Sequence, residues 1–176
     1  MLCTVLGPLS VNGSIPGSPQ QRRLLAALAV HRRAPVSVDL LADVVWQGSP
    51  PTSAINSLQS KVSRLRNAIG SDRVRRVPAG YLLDLDVGEC DADRFEDLLT
   101  SAEGLAPIDK LAVLDEALAL WRGGAFAEFA DEEFARPAAV RFEQRRLTAH
   151  EWRLDCPELG CGCVAADHGR VLAWAA

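Results

Sequence analysis

The chain has 176 residues, and what it lacks excludes several classes of protein. No apolar run approaches the roughly 18 residues that a membrane-spanning helix needs. The longest, residues 24–30, is bounded by Arg22 and Arg23 on one side and, just beyond His31, by Arg32 and Arg33. No basic stretch followed by an apolar one stands at the N-terminus, so no signal peptide is read. The three histidines, His31, His150 and His168, lie in unrelated segments. No P-loop, G-x-G-x-x-G after a strand or G-x-S-x-G is present, so neither an enzyme nor a cofactor is expected. Five cysteines, an odd number at uneven spacing, fit free thiols in a reducing cytoplasm. Cys156, Cys161, Cys163 and His168 follow C-x4-C-x-C-x4-H, which is not a usual zinc spacing, so no metal site is expected.

The net charge of −4 speaks against nucleic acid as a partner, but it hides an asymmetry. Residues 1–84 hold ten basic and four acidic side chains; residues 85–176 hold nine and nineteen. A reversal from +6 to −10 suggests two units with different partners; chance clustering of solvated charge is the plainer alternative.

Short strands are read first, through Cys3, Val5 and Leu6 and then Leu9 and Val11. They are followed by an Asn12-Gly13 turn and a brief third strand at Ile15. Ser18, Pro19 and Gln21 have the types and spacing of a capping box with proline at the first helical position. Leu24, Leu25 and Leu28 give that helix an apolar face as far as about His31. Residues 35–38 form a short connecting strand. Ser37 caps a second helix with Leu40, Leu41, Val44 and Val45 on one side, ended by Gly48-Ser49-Pro50-Pro51.

The third helix, residues 52–69, is the informative one. Ile55, Leu58, Val62, Leu65 and Ile69 form a continuous stripe with steps of three and four. The other faces carry Asn56, Ser57, Gln59, Ser60, Lys61, Ser63, Arg64, Arg66 and Asn67, and no acid. Amides, hydroxyls and long cations are the groups that pair with base edges and phosphates. A merely solvated face usually mixes Glu with Lys. Gly70 stops the helix, and a hairpin follows, Val74–Val77 with Arg75 and Arg76, a Pro78-Ala79-Gly80 turn, then residues 81–85. Strands, three helices and a basic hairpin describe a helix-turn-helix with a wing.

Helices fill the second half. Asp91 is placed to cap the first, Pro107 fits the first turn of the second, Gly123-Gly124 breaks it, and a long third runs over residues 132–154. Trp121, Phe126, Phe129 and Phe134 are read as packing residues rather than a ligand cage.

Several motifs resemble one family, the Streptomyces antibiotic regulatory proteins. In the first half they are Leu6-Gly7-Pro8-Leu9, Gln20-Gln21-Arg22-Arg23-Leu24-Leu25, Ser37-Val38-Asp39-x-Leu41 and Trp46 before Pro50-Pro51. Asn56-x-Leu58-Gln59, Val62-Ser63-Arg64-Leu65-Arg66 and Pro78-x-Gly80-Tyr81-Leu82 continue them in order. In the second half, Cys90-Asp91-Ala92-Asp93-Arg94-Phe95-Glu96 and Leu114-x-Glu116-Ala117-Leu118-Ala119-Leu120-Trp121-Arg122-Gly123 look like the family's bacterial transcriptional activation domain. The resemblance implies a mainly α protein with small β elements. Residues 1–86 would be an OmpR/PhoB-type winged-helix DNA-binding domain, and residues 90–155 part of a tetratricopeptide-like helical domain. Residues 156–176 form an atypical tail, because the helical pattern is lost after Asp155-Cys156-Pro157. A truncated chain, from a frameshift near Cys156, is the expectation, with apolar helix faces left exposed.

By resemblance the chain is a transcriptional activator that binds direct repeats near promoters as a dimer on double-stranded DNA, with RNA polymerase as partner. Base-edge contacts are assigned to Asn56, Ser60 and Arg64. Phosphate contacts are assigned to Ser57, Lys61, Ser63 and Arg66 and, around the hairpin, to Arg73, Arg75 and Arg76. Two alternatives stay open, a protein-interaction module and a regulator that binds DNA without activating. The aspartate-bearing unit of response regulators has no counterpart, so phosphorylation through such a unit is not expected.

Overall fold

The computed structural model describes residues 1–14 and 17–156. Ile15 and the tail beyond Cys156, with Cys161, Cys163 and His168, lie outside the described residues. The chain begins with a two-stranded antiparallel ribbon, β1 (Cys3–Thr4) and β2 (Ser10–Val11). Three helices follow, α1 (Pro19–Val30), α2 (Val38–Trp46) and α3 (Ala54–Ile69). A single 3-10 turn at Ser71–Arg73 leads into the hairpin β3 (Val74–Val77) and β4 (Gly80–Leu83). The second half consists of α4 (Asp91–Ala102), α5 (Pro107–Ala119) and α6 (Arg136–Asp155).

The helix starts follow from their capping residues. The Ser18 hydroxyl accepts from the Gln21 N–H at 3.2 Å, and the Gln21 side chain accepts from the Ser18 N–H at 3.2 Å. This reciprocal box satisfies two of the donors that a helix start leaves open. The Ser37 hydroxyl accepts from the Leu40 N–H at 3.1 Å and starts α2. The hairpin is held to the helices through Val36 and Tyr81, which exchange backbone hydrogen bonds of 2.8 and 2.9 Å. Gly80 makes this possible. Its φ is +139°, and a Cβ there would lie 1.9 Å from the Val36 carbonyl oxygen.

Four details differ from the sequence reading. Helix α1 buries Leu24, Leu25, Ala26, Ala27, Leu28 and Ala29 together, not one face, because it lies between the helix-turn-helix and the second half. Leu40 turns outward, while Leu41, Ala42, Val44 and Val45 are the buried positions of α2. The long last helix starts at Arg136, and the residues between α5 and α6 form turns that fold Trp121, Phe126 and Phe129 into the core. Asp91 does not cap α4: Cys90 occupies that position and makes no side-chain capping bond.

Asp91 instead joins the halves. Its carboxylate accepts from the Val5 N–H at 2.8 and 3.0 Å and from the Leu6 N–H at 3.0 Å, and Arg122 donates to it at 2.8 Å. Backbone bonds from Arg122 to Leu6 (2.8 Å) and from Phe126 to Val5 (2.7 Å) complete the seam. One hydrophobic core runs through both halves. In the second half Phe95 meets Trp121 edge-on at 5.3 Å, a favoured aromatic geometry. On α6, Val140, Leu147 and Leu154 recur every seven residues and are exposed.

The charge asymmetry has a structural use that composition did not reveal. Five of the ten basic residues in the first half face carboxylates beyond residue 84. Arg22 meets Glu128, Arg23 meets Glu132, Arg32 and Arg33 meet Asp93, and Arg73 meets Asp86 and Glu89. The Arg32–Asp93 pair is nearly enclosed, and the Arg32 guanidinium also lies 5.1 Å from the Phe142 ring centre. Much of the +6 and −10 is therefore cancelled within the molecule.

Candidate nucleic-acid interface

Helix α3 carries the cationic and amide groups that this internal pairing leaves available. Its buried stripe is Ala54, Leu58, Val62, Leu65 and Ile69. The expected first member, Ile55, is 59% exposed. The helix begins at Ala54 rather than at residue 52; Ala54 takes the inward place, and the turn of about 100° per residue carries Ile55 away from it. The exposed face holds Asn56, Gln59, Ser60, Ser63, Arg64 and Asn67. Asn56, Ser60 and Arg64 stand four residues apart and form one outward row. The Ser60 hydroxyl donates to the Asn56 carbonyl at 3.2 Å, which leaves its oxygen able to accept. No ion pair engages Arg64 among the described residues.

The candidate phosphate contacts lie in three settings. Lys61 is half-buried on the flank toward α2, with its ammonium 5.7 Å from the Trp46 ring centre, and half-buried Ser57 lies one turn before it. Ser63 is exposed. Arg66 is half-buried and donates from Nε to the Val74 carbonyl at 2.7 Å, which fixes α3 against the hairpin. On the hairpin Arg75 pairs with Asp84 at 2.9 Å, both half solvated, and Arg76 stacks 4.8 Å from the Tyr81 ring centre. Exposed pairs such as Arg75–Asp84 are weak, so that guanidinium can exchange partners at little cost. Arg73 differs. Asp86 at 2.8 Å and Glu89 at 2.7 Å hold it, and the Asp86 hydrogen bond raises its already high pKa. Its charge is largely neutralised within the chain.

Two features escaped the sequence reading. The outward turn of Ile55 was hidden because a stripe beginning at 54 or 55 fits the three-four spacing equally well. The Asp91 clamp was hidden because an acid at a helix start already has an ordinary explanation. Burial raises the Asp91 carboxyl above its usual pKa, although the Val5 and Leu6 N–H groups and Arg122 pull the other way.

Residues 12–83 match the family model described as transcriptional regulatory protein, C terminal. Residues 90–175 match the bacterial transcriptional activator domain. The chain belongs to the Streptomyces antibiotic regulatory protein family. Its relatives in that family include the transcriptional regulator RedD of Streptomyces coelicolor, 34% identical over 162 residues, covering 84% of this chain and 46% of RedD. The transcriptional regulatory protein EmbR of Mycobacterium tuberculosis is 32% identical over 176 residues, covering 92% of this chain and 45% of EmbR. A solved structure of that EmbR, in complex with a low affinity phosphopeptide, superposes with a TM-score of 0.78 at 31% identity. The superposition covers 88% of this chain and 44% of that one. The chain thus spans about half the length of these relatives. Among the described residues no helix is long and apolar enough to cross a membrane.

Proposed function

We propose that this chain is a sequence-specific, double-stranded DNA-binding transcriptional regulator that activates from direct repeats near promoters in the bacterial cytoplasm. The observation that carries the reading is the acid-free outer face of α3, set against a basic hairpin and fixed there by Arg66. Asn56, Ser60 and Arg64 read base edges. Ser57, Lys61, Ser63, Arg66, Arg75 and Arg76 hold the phosphates, and Arg73 contributes least because Asp86 and Glu89 engage it. Residues 1–86 are the reader in this scheme, and residues 90–155 are a helical unit whose exposed Val140, Leu147 and Leu154 suit a protein contact, RNA polymerase being the partner. Two protomers sit side by side on the DNA. No enzymatic step belongs to the reading.

The test is selection of DNA by the purified chain from a random pool of duplexes. Enrichment of a spaced direct repeat is the expected result. A pool that stays random after repeated rounds refutes the reading. Promoter occupancy without reporter activation would favour the alternative of a regulator that binds without activating.

A further inference from the structure

We propose that Ile55 is a further specificity-determining residue, one that reads the C5-methyl group of a thymine in the major groove. The inference rests on the reading of α3 given above. Single exposed apolar side chains are common on protein surfaces, so exposure alone assigns nothing. The surroundings of Ile55 are what matter. It is the sole exposed large apolar side chain on α3. The core does not need it, since Ala54 and Leu58 fill the positions on either side of it in the buried stripe. A branched residue at an open helical position also gains nothing in helix propensity over Lys, Gln or Leu.

Its place in the helix matches the role. Ile55 is in the first turn of α3, and the N-terminal residues of a recognition helix are those that reach base edges. Asn56, the next residue, carries an amide able to bond adenine at N6 and N7. Gln59, one turn on, carries a second amide. The thymine methyl is the apolar group that the major groove offers, and aliphatic side chains are its natural contacts. An aliphatic side chain among amides therefore suits an A·T step, with Asn56 on adenine and Ile55 on a thymine methyl. The contact carries no charge, so it contributes discrimination that salt does not screen.

The experiment uses the full chain and the duplex it enriches from a random pool. Each thymine of the bound site is replaced in turn by deoxyuridine, which removes the methyl and keeps the pairing. One position is expected to weaken binding of the parent chain about fourfold, the value of a single buried methyl group. Ile55→Ala is expected to bind the thymine and uracil duplexes equally, and Ile55→Val to retain part of the difference. Ile55 is exposed, so both variants should unfold at the parent's temperature, which confirms that they are folded. If the chain selects a site but no thymine is sensitive, or Ile55→Ala keeps the full uracil effect, the inference is overturned while the reading of α3 stands. If the parent selects no site, both fall.

Discussion

Replacing Asp91 by alanine tests the seam between the two halves. Asp91 is 1% exposed, and its carboxylate is the acceptor for two backbone donors, the Val5 and Leu6 N–H groups. A buried donor left without a partner costs about 1–3 kcal/mol. Two such donors give about 2–6 kcal/mol. The bond from Arg122 adds little to this sum, because the Arg122 side chain is 45% exposed and regains water. Against a total stability of roughly 5–15 kcal/mol the loss is large. For a chain of this length it corresponds to a fall in Tm of roughly 5–20 °C. Asp91→Asn separates hydrogen bonding from charge. Its amide keeps one acceptor and avoids the desolvation that raises the Asp91 pKa, so it should fall between parent and alanine. The sign of the pH dependence follows. A carboxyl whose folded pKa is raised contributes stability below its unfolded pKa near 4 and loses it as pH rises through the folded value. Asp91→Asn should abolish that component. Urea unfolding at several pH values measures both effects. Asp91→Ala melting within about 2 °C of the parent would refute the clamp.

Three further outcomes are expected. Gly80→Ala places a Cβ 1.9 Å from the Val36 carbonyl oxygen at a φ of +139°, so it should cost at least about 2 kcal/mol in urea unfolding, with the Val36–Tyr81 bridge lost first. Glu132 has the opposite sign to Asp91, because hydrogen bonding from Arg23 holds its carboxyl below the usual range. Its contribution is present above the unfolded pKa and is lost as pH falls through the folded one; Arg23→Ala should flatten that acid-side loss in a pH series of melting curves. A chain cut after residue 86 leaves the Val5 and Leu6 donors and the apolar side of α1 without their cover, so its circular dichroism should show a broad, early transition rather than one cooperative melt.

Local features were the legible ones. The Ser18 and Ser37 caps, the α3 register at Leu58, Val62, Leu65 and Ile69, and the hairpin at Val74–Val77 each depend on residues within a few positions of one another. What was not legible is long-range. Asp91 lies 86 residues from Val5, and nothing in its immediate sequence separates a helix cap from a clamp. The pairing of Arg22, Arg23, Arg32 and Arg33 with Glu128, Glu132 and Asp93 is likewise a property of folded neighbours. The first-half charge excess, taken alone, overstated the basic surface available to DNA. The proposal for α3 does not depend on that total, since it rests on the absence of acid on one helix face.

That face is tested most directly by comparing two substitutions on it. Affinity for the enriched repeat and for a scrambled duplex is measured over a range of salt with Arg64→Ala and Lys61→Ala. Arg64→Ala is expected to lose about 1–3 kcal/mol of discrimination at particular base pairs. Lys61→Ala is expected to weaken binding to both duplexes and reduce the salt slope by about one. If both variants bind both duplexes as the parent does, α3 is not the surface that meets DNA.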